Sequence, residues 1–172
     1  MKGPLQFAEH REVCQAGFWF GLFVVFATIG LLCGCSPRVP VLVAAEQGDL
    51  EKVRVLLSQG HSVNERDPGG KFGWTPLMAA LFHDHTNVAH YLIEAGADLN
   101  IRDREGETAL MHAIANGDQD LEVVKDLIAH GADVNAKDRM VATVLSYASS
   151  DPPKPRVLEA VKAAMSQQEK TK

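Results

Sequence analysis

The chain has 172 residues, with 17 Lys and Arg against 22 Asp and Glu, a net charge of −5, and three cysteines. A mildly acidic balance, with both signs mixed along the chain, excludes the broad basic field that binds nucleic acid or anionic lipid through counterion release. Cys14, Cys33 and Cys35 all precede position 36, so the rest of the chain holds neither a disulfide scaffold nor a cysteine-ligated metal.

Ala16 to Leu32 is an apolar run without a charge. Its length suits either a secretory signal core or a short membrane span, and it predicts a hydrophobic amino-terminal helix within residues 1–34. The run ends in Leu32-Cys33-Gly34-Cys35, which resembles the lipobox of bacterial lipoprotein signal peptides. In that family cleavage precedes the cysteine, which then carries lipid. The resemblance therefore implies Cys35 as the lipidation site, residues 35–40 as a short tether, and an envelope lipoprotein facing the periplasm. With Ser36 rather than Asp after the cysteine, it also implies sorting to the outer membrane. An uncleaved inner-membrane span, with the remaining chain recruiting soluble partners in the cytoplasm, is the alternative. Lys2 and Arg11 before the run and Arg38, Lys52 and Arg54 after it leave orientation open.

Beyond the tether the sequence repeats itself. Gly60-His61-Ser62-Val63-Asn64 returns as Gly96-Ala97-Asp98-Leu99-Asn100 and as Gly131-Ala132-Asp133-Val134-Asn135, at steps of 36 and 35 residues. Asp67, Asp103 and Asp138 follow three residues after each Asn. Between successive aspartates stand Thr75-Pro76-Leu77-Met78-Ala79-Ala80 and Thr108-Ala109-Leu110-Met111-His112-Ala113, and a third copy after Asp138 is Thr143-Val144-Leu145-Ser146-Tyr147-Ala148. Each Thr can cap a helix start, and Pro76 sits where a first-turn proline is tolerated. Val53, Leu56 and Leu57, like Val88, Leu92 and Ile93, recur at helical spacing and mark the buried stripe of a second helix. Gly60, Gly96 and Gly131 then stop that helix, where a carboxyl-terminal cap often requires positive φ. Ala44, Ala80, Ala113 and Ala148 hold equivalent first-helix positions, small enough for close stacking.

This unit resembles the ankyrin repeat, a β-turn and two helices with a T-P-L-H-x-A signature. The resemblance implies an all-α solenoid of about four units with short hairpin tips, over residues 41–165. The repeats fall at 39–66, 67–102, 103–137 and 138–165, with a flexible polar tail at 166–172. Extra residues lie within Pro68 to Phe72 and within Gly117 to Leu121. In the closing unit Val141 stands where the turn glycine is expected, Asp151-Pro152-Pro153-Lys154-Pro155 replaces the inter-helix loop, and the second helix is expected over about Arg156 to Met165.

Ankyrin repeats bind proteins through the turn tips and the inner face of the first helix. Carried onto this chain, those positions are Lys71, Phe72, Trp74, Phe82 and His83, then Arg104, Glu105, Glu107, Ala115 and Asn116. Arg102, Lys137 and Arg139 lie beside the turns, and Met140 falls on the last tip. Framework leucines already fill the core, so Phe72, Trp74 and Phe82 are expected as an exposed aromatic anchor. The competing expectation is that the insertion folds the turn back and Phe72 or Trp74 covers the first stack.

His83-Asp84-His85, with His90 nearby, does not promise convergent zinc ligands and is expected in a solvated loop. The repeated aspartates read as turn residues, and Ser146, Ser149 and Ser150 have no evident base. No phosphate loop or nucleophile motif appears, so neither enzyme activity, a metal, a cofactor nor a small-molecule substrate is expected. The expected partner is another protein of the periplasm or outer membrane, with the membrane reached through lipid or a span. Adaptor, protector and immunity-type inhibitor all fit that role.

Overall fold

A computed structural model of the chain describes residues 39–66, 70–116, 121–150 and 153–170. The apolar run and Cys35 lie outside the described residues. Eight helices appear among the described residues, with no strand. They are α1 (Pro40–Glu46), α2 (Leu50–Ser58), α3 (Pro76–Phe82), α4 (Thr86–Glu94), α5 (Ala109–Ala115), α6 (Leu121–Ala129), α7 (Val144–Ala148) and α8 (Pro155–Lys170). The odd-numbered helices stack on one another as an inner layer and the even-numbered ones as an outer layer, so the fold is an all-α repeat stack.

Local chemistry sets the helix boundaries. Asp49 starts α2 by accepting from the Lys52 amide at 3.0 Å, and the Thr75 hydroxyl starts α3 by accepting from the Met78 amide at 3.3 Å. Thr143 and Ser146 form a reciprocal capping box at α7. Thr108 departs from the pattern: its hydroxyl makes no cap bond and is buried without a partner. Outer helices end as expected, on Gly60, Gly96 and Gly131 at φ of +92°, +82° and +93°. Behind α2 the Gly60 amide donates to the Leu57 carbonyl and the His61 amide to the Leu56 carbonyl. That paired arrangement satisfies two carbonyls the helix end leaves open.

The core runs between the layers. Ala44, Ala80, Ala113 and Ala148 are fully buried, as are Leu77, Leu92, Leu110 and Leu127. The first three repeats are tied one to the next through the periodic asparagines. Asn64 Oδ1 accepts from the Asp98 amide at 2.9 Å, and Asn100 Oδ1 from the Asp133 amide at 2.8 Å. That explains why Gly-x-x-x-Asn recurs: the asparagine is a rung between units.

Two further features differ from expectation. Helix α8 continues to Lys170, through most of the segment expected as a flexible tail. His85 is half-buried rather than solvated, and its Nε2–H donates to the Glu46 carbonyl at 3.1 Å. Gly48 makes room for it, since a β-carbon there would lie 2.6 Å from the imidazole Nδ1.

Candidate functional site

The three turn tips follow one another along the stack, and backbone hydrogen bonds align them. The Arg104 amide donates to the Phe72 carbonyl and the Arg139 amide to the Glu105 carbonyl, each at 2.9 Å. Gly73 and Gly106 occupy positive φ within their tips, and a β-carbon on Gly106 would meet the Arg139 amide nitrogen at 3.0 Å. Arginine side chains add cross-links. Arg66 donates to the carbonyls of Gly73 at 3.1 Å and Arg102 at 2.9 Å, and Arg104 donates to the Lys71 carbonyl at 3.3 Å.

On this frame Phe72, Trp74 and Phe82 form one cluster. The Phe72 and Trp74 rings stack at 4.6 Å and 16°, and the Phe82 ring lies 4.6 Å from Trp74, tilted by 41°. Phe72 is 42% exposed and Phe82 51%. Trp74 is half-buried, and its ring centroid lies 5.6 Å from that of His112 in an edge-to-face arrangement. Lys71 Nζ sits 5.1 Å over the Phe72 ring, a cation–π contact at the edge of the cluster. Each competing expectation therefore describes part of the arrangement: two rings face outward, and the indole is partly withdrawn.

A buried polar network holds the indole in place. Trp74 Nε1–H donates to Asp103 Oδ2 at 3.2 Å, and His112 Nε2–H donates to the same oxygen at 3.1 Å. Asp103 Oδ1 accepts from the amides of Glu105 and Glu107 at 2.9 Å each. Burial pushes the Asp103 carboxyl up, but the His112 bond, the two amides and the His112 charge outweigh it and hold the group below the usual carboxylate range. The next repeat has an analogous brace. The Tyr147 hydroxyl donates towards Glu107 and, at 2.9 Å, towards Asp138, while Asp138 Oδ1 accepts from the Ala142 amide at 2.8 Å. Burial and the two carboxylates push the Tyr147 hydroxyl well above its ordinary range.

Ligand-type atoms of Asp103, Glu107 and His112 lie within 4.8 Å of one another, oxygen and imidazole donors that a divalent ion accepts. Their capacity is already committed. Asp103 accepts four hydrogen bonds, His112 donates one of them, and Glu107 accepts from Tyr147. The trio is a brace linking tip to inner helix.

The positions expected to bind protein divide by environment. Lys71, Phe72, Phe82, His83, Arg102, Arg104, Glu105, Lys137 and Arg139 are exposed, and Met140 is 85% exposed. Trp74, Glu107 and Asn116 are half-buried, and each makes an internal bond: Trp74 to Asp103, Glu107 to Tyr147, Asn116 to the Leu81 carbonyl. Phe72, Trp74, Phe82 and Lys71 come together, whereas Lys137, Arg139 and Met140 sit on the last tip. Sequence reasoning missed Asp103, Asp138, His112 and Tyr147 as supports of the face. The signal was there in the spacing, because His112 follows Asp103, and Tyr147 follows Asp138, by nine residues.

A family model described as ankyrin repeats in three copies matches residues 41–138. Helices α7 and α8 lie beyond that span. Among curated proteins, the chain is 35% identical over 86 residues to ankyrin repeat and SAM domain-containing protein 6 of Rattus norvegicus, covering 50% of this chain and 10% of that protein. It is 34% identical over 80 residues to a putative ankyrin repeat protein of Rickettsia bellii, covering 46% and 12%. It is 30% identical over 112 residues to the mitochondrial disaggregase of Homo sapiens, covering 58% and 15%. The chain thus spans a small fraction of each relative's length. Among the described residues no helix is long and apolar enough to cross a membrane.

Proposed function

The chain belongs to the ankyrin repeat family, and we propose from that premise that it is a binding protein, not an enzyme, whose turn tips and inner helices hold another protein. The observation that carries this reading is the Phe72–Trp74–Phe82 cluster. Two rings are exposed although the repeat core is already filled, and the third is fixed from beneath by Asp103. Exposed aromatic anchors on a rigid frame bind without a large ordering cost, the condition for a tight protein interface. Cross-linked tips leave this surface little freedom to lose.

The finer reading places the protein in a bacterial envelope, lipidated at Cys35, with its partner in the periplasm or outer membrane. The apolar run and the lipobox-like Leu32-Cys33-Gly34-Cys35 support it. An adaptor, a protector of an envelope enzyme or an immunity-type inhibitor would use the same surface. Palmitate labelling and signal processing in wild type and Cys35→Ser test the anchor. Label lost in the variant supports the lipoprotein. An unlabelled, uncut leader with repeats protected from external protease supports a membrane span with cytoplasmic repeats.

The binding face is tested by placing a photo-crosslinking amino acid at position 82 or, as control, at Lys125 on outer helix α6, and identifying the adduct from intact cells. The purified partner then binds the Phe72→Ser/Phe82→Ser variant at least about tenfold more weakly, near 1.4 kcal/mol. Unchanged affinity, or adducts only from position 125, sinks the reading.

A further inference from the structure

We propose that the partner segment docking along the tips is an extended, acidic stretch of polypeptide that also supplies an apolar side chain to the aromatic cluster. This rests on the binding face proposed above and adds the chemistry of its occupant.

The observation is a sorting of charge by the fold. Residues 66–74, 102–107 and 137–142 contain six basic and five acidic side chains, close to balance in the sequence. Their orientations differ. Arg66, Lys71, Arg102, Arg104, Lys137 and Arg139 are all exposed, whereas Asp103 is buried and Glu107 and Asp138 are half-buried in the Trp74–His112 and Tyr147 braces. Among the described residues of the tips, Glu105 is the one exposed acid. A chain with net charge −5 thus presents a basic row along its tips, beside its exposed aromatic rings.

The row has a period. Arg66 and Arg104 flank Gly73 on the first tip, and Arg139 lies over Gly106 on the second. Successive units of a helical stack are about 10 Å apart. An extended chain in the polyproline-II form advances about 3.1 Å per residue with about three residues per turn, so acids at every third position share one face and meet successive tips. Opposite charge along the row steers encounter and fixes register, while the apolar side chain packed over the exposed Phe72 and Phe82 rings supplies anchorage. A nucleic acid or a lipid surface fits less well, because Glu105 interrupts the row and the acidic body repels a polyanion.

The test uses full-length protein in neutral detergent and three fluorescent twelve-residue peptides. All share one Phe and a Gly/Ser background, with Glu, Gln or Lys at every third position. The Glu peptide binds at least tenfold more tightly than the Gln peptide in 50 mM salt, and most of that preference disappears in 500 mM salt. Lys71→Glu/Lys137→Glu abolishes the preference with thermal unfolding unchanged, since Lys71 meets the next tip through its carbonyl and Lys137 pairs with Thr143 through its backbone. Phe72→Ser/Phe82→Ser weakens Glu and Gln peptides alike. Equal binding of Glu and Gln peptides, tighter binding of the Lys peptide, no peptide binding, or tighter binding to single-stranded DNA or anionic vesicles overturns the inference. Equal Glu and Gln binding that is still lost in the phenylalanine variant leaves the binding face standing. Insensitivity of every probe to the phenylalanine variant removes both.

Discussion

Trp74 and Asp103 stand on neighbouring tips, and the indole Nε1–H of the first donates to Oδ2 of the second at 3.2 Å. This bond couples the aromatic face to the scaffold: the carboxylate that shapes the second tip through two amides also fixes the ring around which Phe72 and Phe82 pack. Trp74→Phe keeps an aromatic ring and removes the donor. It should cost about 1.5 to 3 kcal/mol, the range for a hydrogen bond to a charged group, and should loosen the face. Urea unfolding together with partner affinity checks this. A variant as stable and as tight-binding as wild type removes the coupling.

The two braces titrate in opposite senses. Asp103 has a folded-state carboxyl more acidic than in the unfolded chain, so its contribution is complete above the unfolded value near 3.9 and is lost as pH falls towards the lower folded value. Tyr147 is raised on folding, so its contribution is complete below the unfolded value near 10 and declines as pH climbs above it. Urea midpoints between pH 2 and 6 should therefore fall less steeply in Asp103→Asn than in wild type. Those between pH 9 and 11 should fall less steeply in Tyr147→Phe. Parallel curves for variant and wild type at either end exclude that brace as the titrating element.

Much of this arrangement was legible in the sequence, because the repeated positions answer to local physics. Gly60, Gly96 and Gly131 sit at positive φ, where a helix end needs it, and Ala44, Ala80, Ala113 and Ala148 are buried where helices must approach. The exposed Phe72 and Phe82 follow from counting which apolar residues the core does not use. What escaped was relational. Trp74 reads as another anchor until Asp103 is seen beneath it, 29 residues away, and Glu107 reads as a polar tip residue until Tyr147 reaches it from 40 residues away. Such bonds carry no local signature. The inward turn of the tip acids, which leaves the basic row outside, is invisible in composition for the same reason.

Two equivalent threonines should respond differently to the same change. Thr75 caps α3, whereas the Thr108 hydroxyl is buried with no partner at the start of α5. Replacement by Val preserves shape and removes the hydroxyl. Thr75→Val should cost about 1 kcal/mol as a lost cap. Thr108→Val should be neutral or stabilising, since no hydrogen bond is broken and an unsatisfied group is removed. Paired thermal melts decide, and equal losses in both variants refute the asymmetry.

Leu92 is fully buried on α4 in the middle of the stack. Leu92→Ala removes burial and leaves a cavity between units, for an expected loss of about 2 to 5 kcal/mol. Unit stability and inter-unit contact are coupled in a repeat array, so the loss should extend beyond α4. Hydrogen exchange should show lowered protection in α5 and α6 as well. Protection lost in α4 alone argues against a cooperative stack.

Val141 occupies the place on the third tip that Gly73 and Gly106 hold on the first two, and it adopts φ +64°. A β-branched residue in that region is strained by its own Cβ, by about 1 to 2 kcal/mol. The side chain is largely exposed and regains little by packing. Glycine relieves the strain while adding freedom to the unfolded chain, an opposing effect of about 0.5 to 1 kcal/mol. Val141→Gly should therefore stabilise the protein by roughly 0.5 to 1 kcal/mol. The reverse substitution on the second tip, Gly106→Val, combines positive φ with a β-carbon 3.0 Å from the Arg139 amide nitrogen and should be strongly destabilising. Chemical denaturation of both variants measures the pair. A destabilised Val141→Gly would mean that the third tip is held by side-chain contacts of Val141 rather than by its Asp138 and Ala142 backbone bonds.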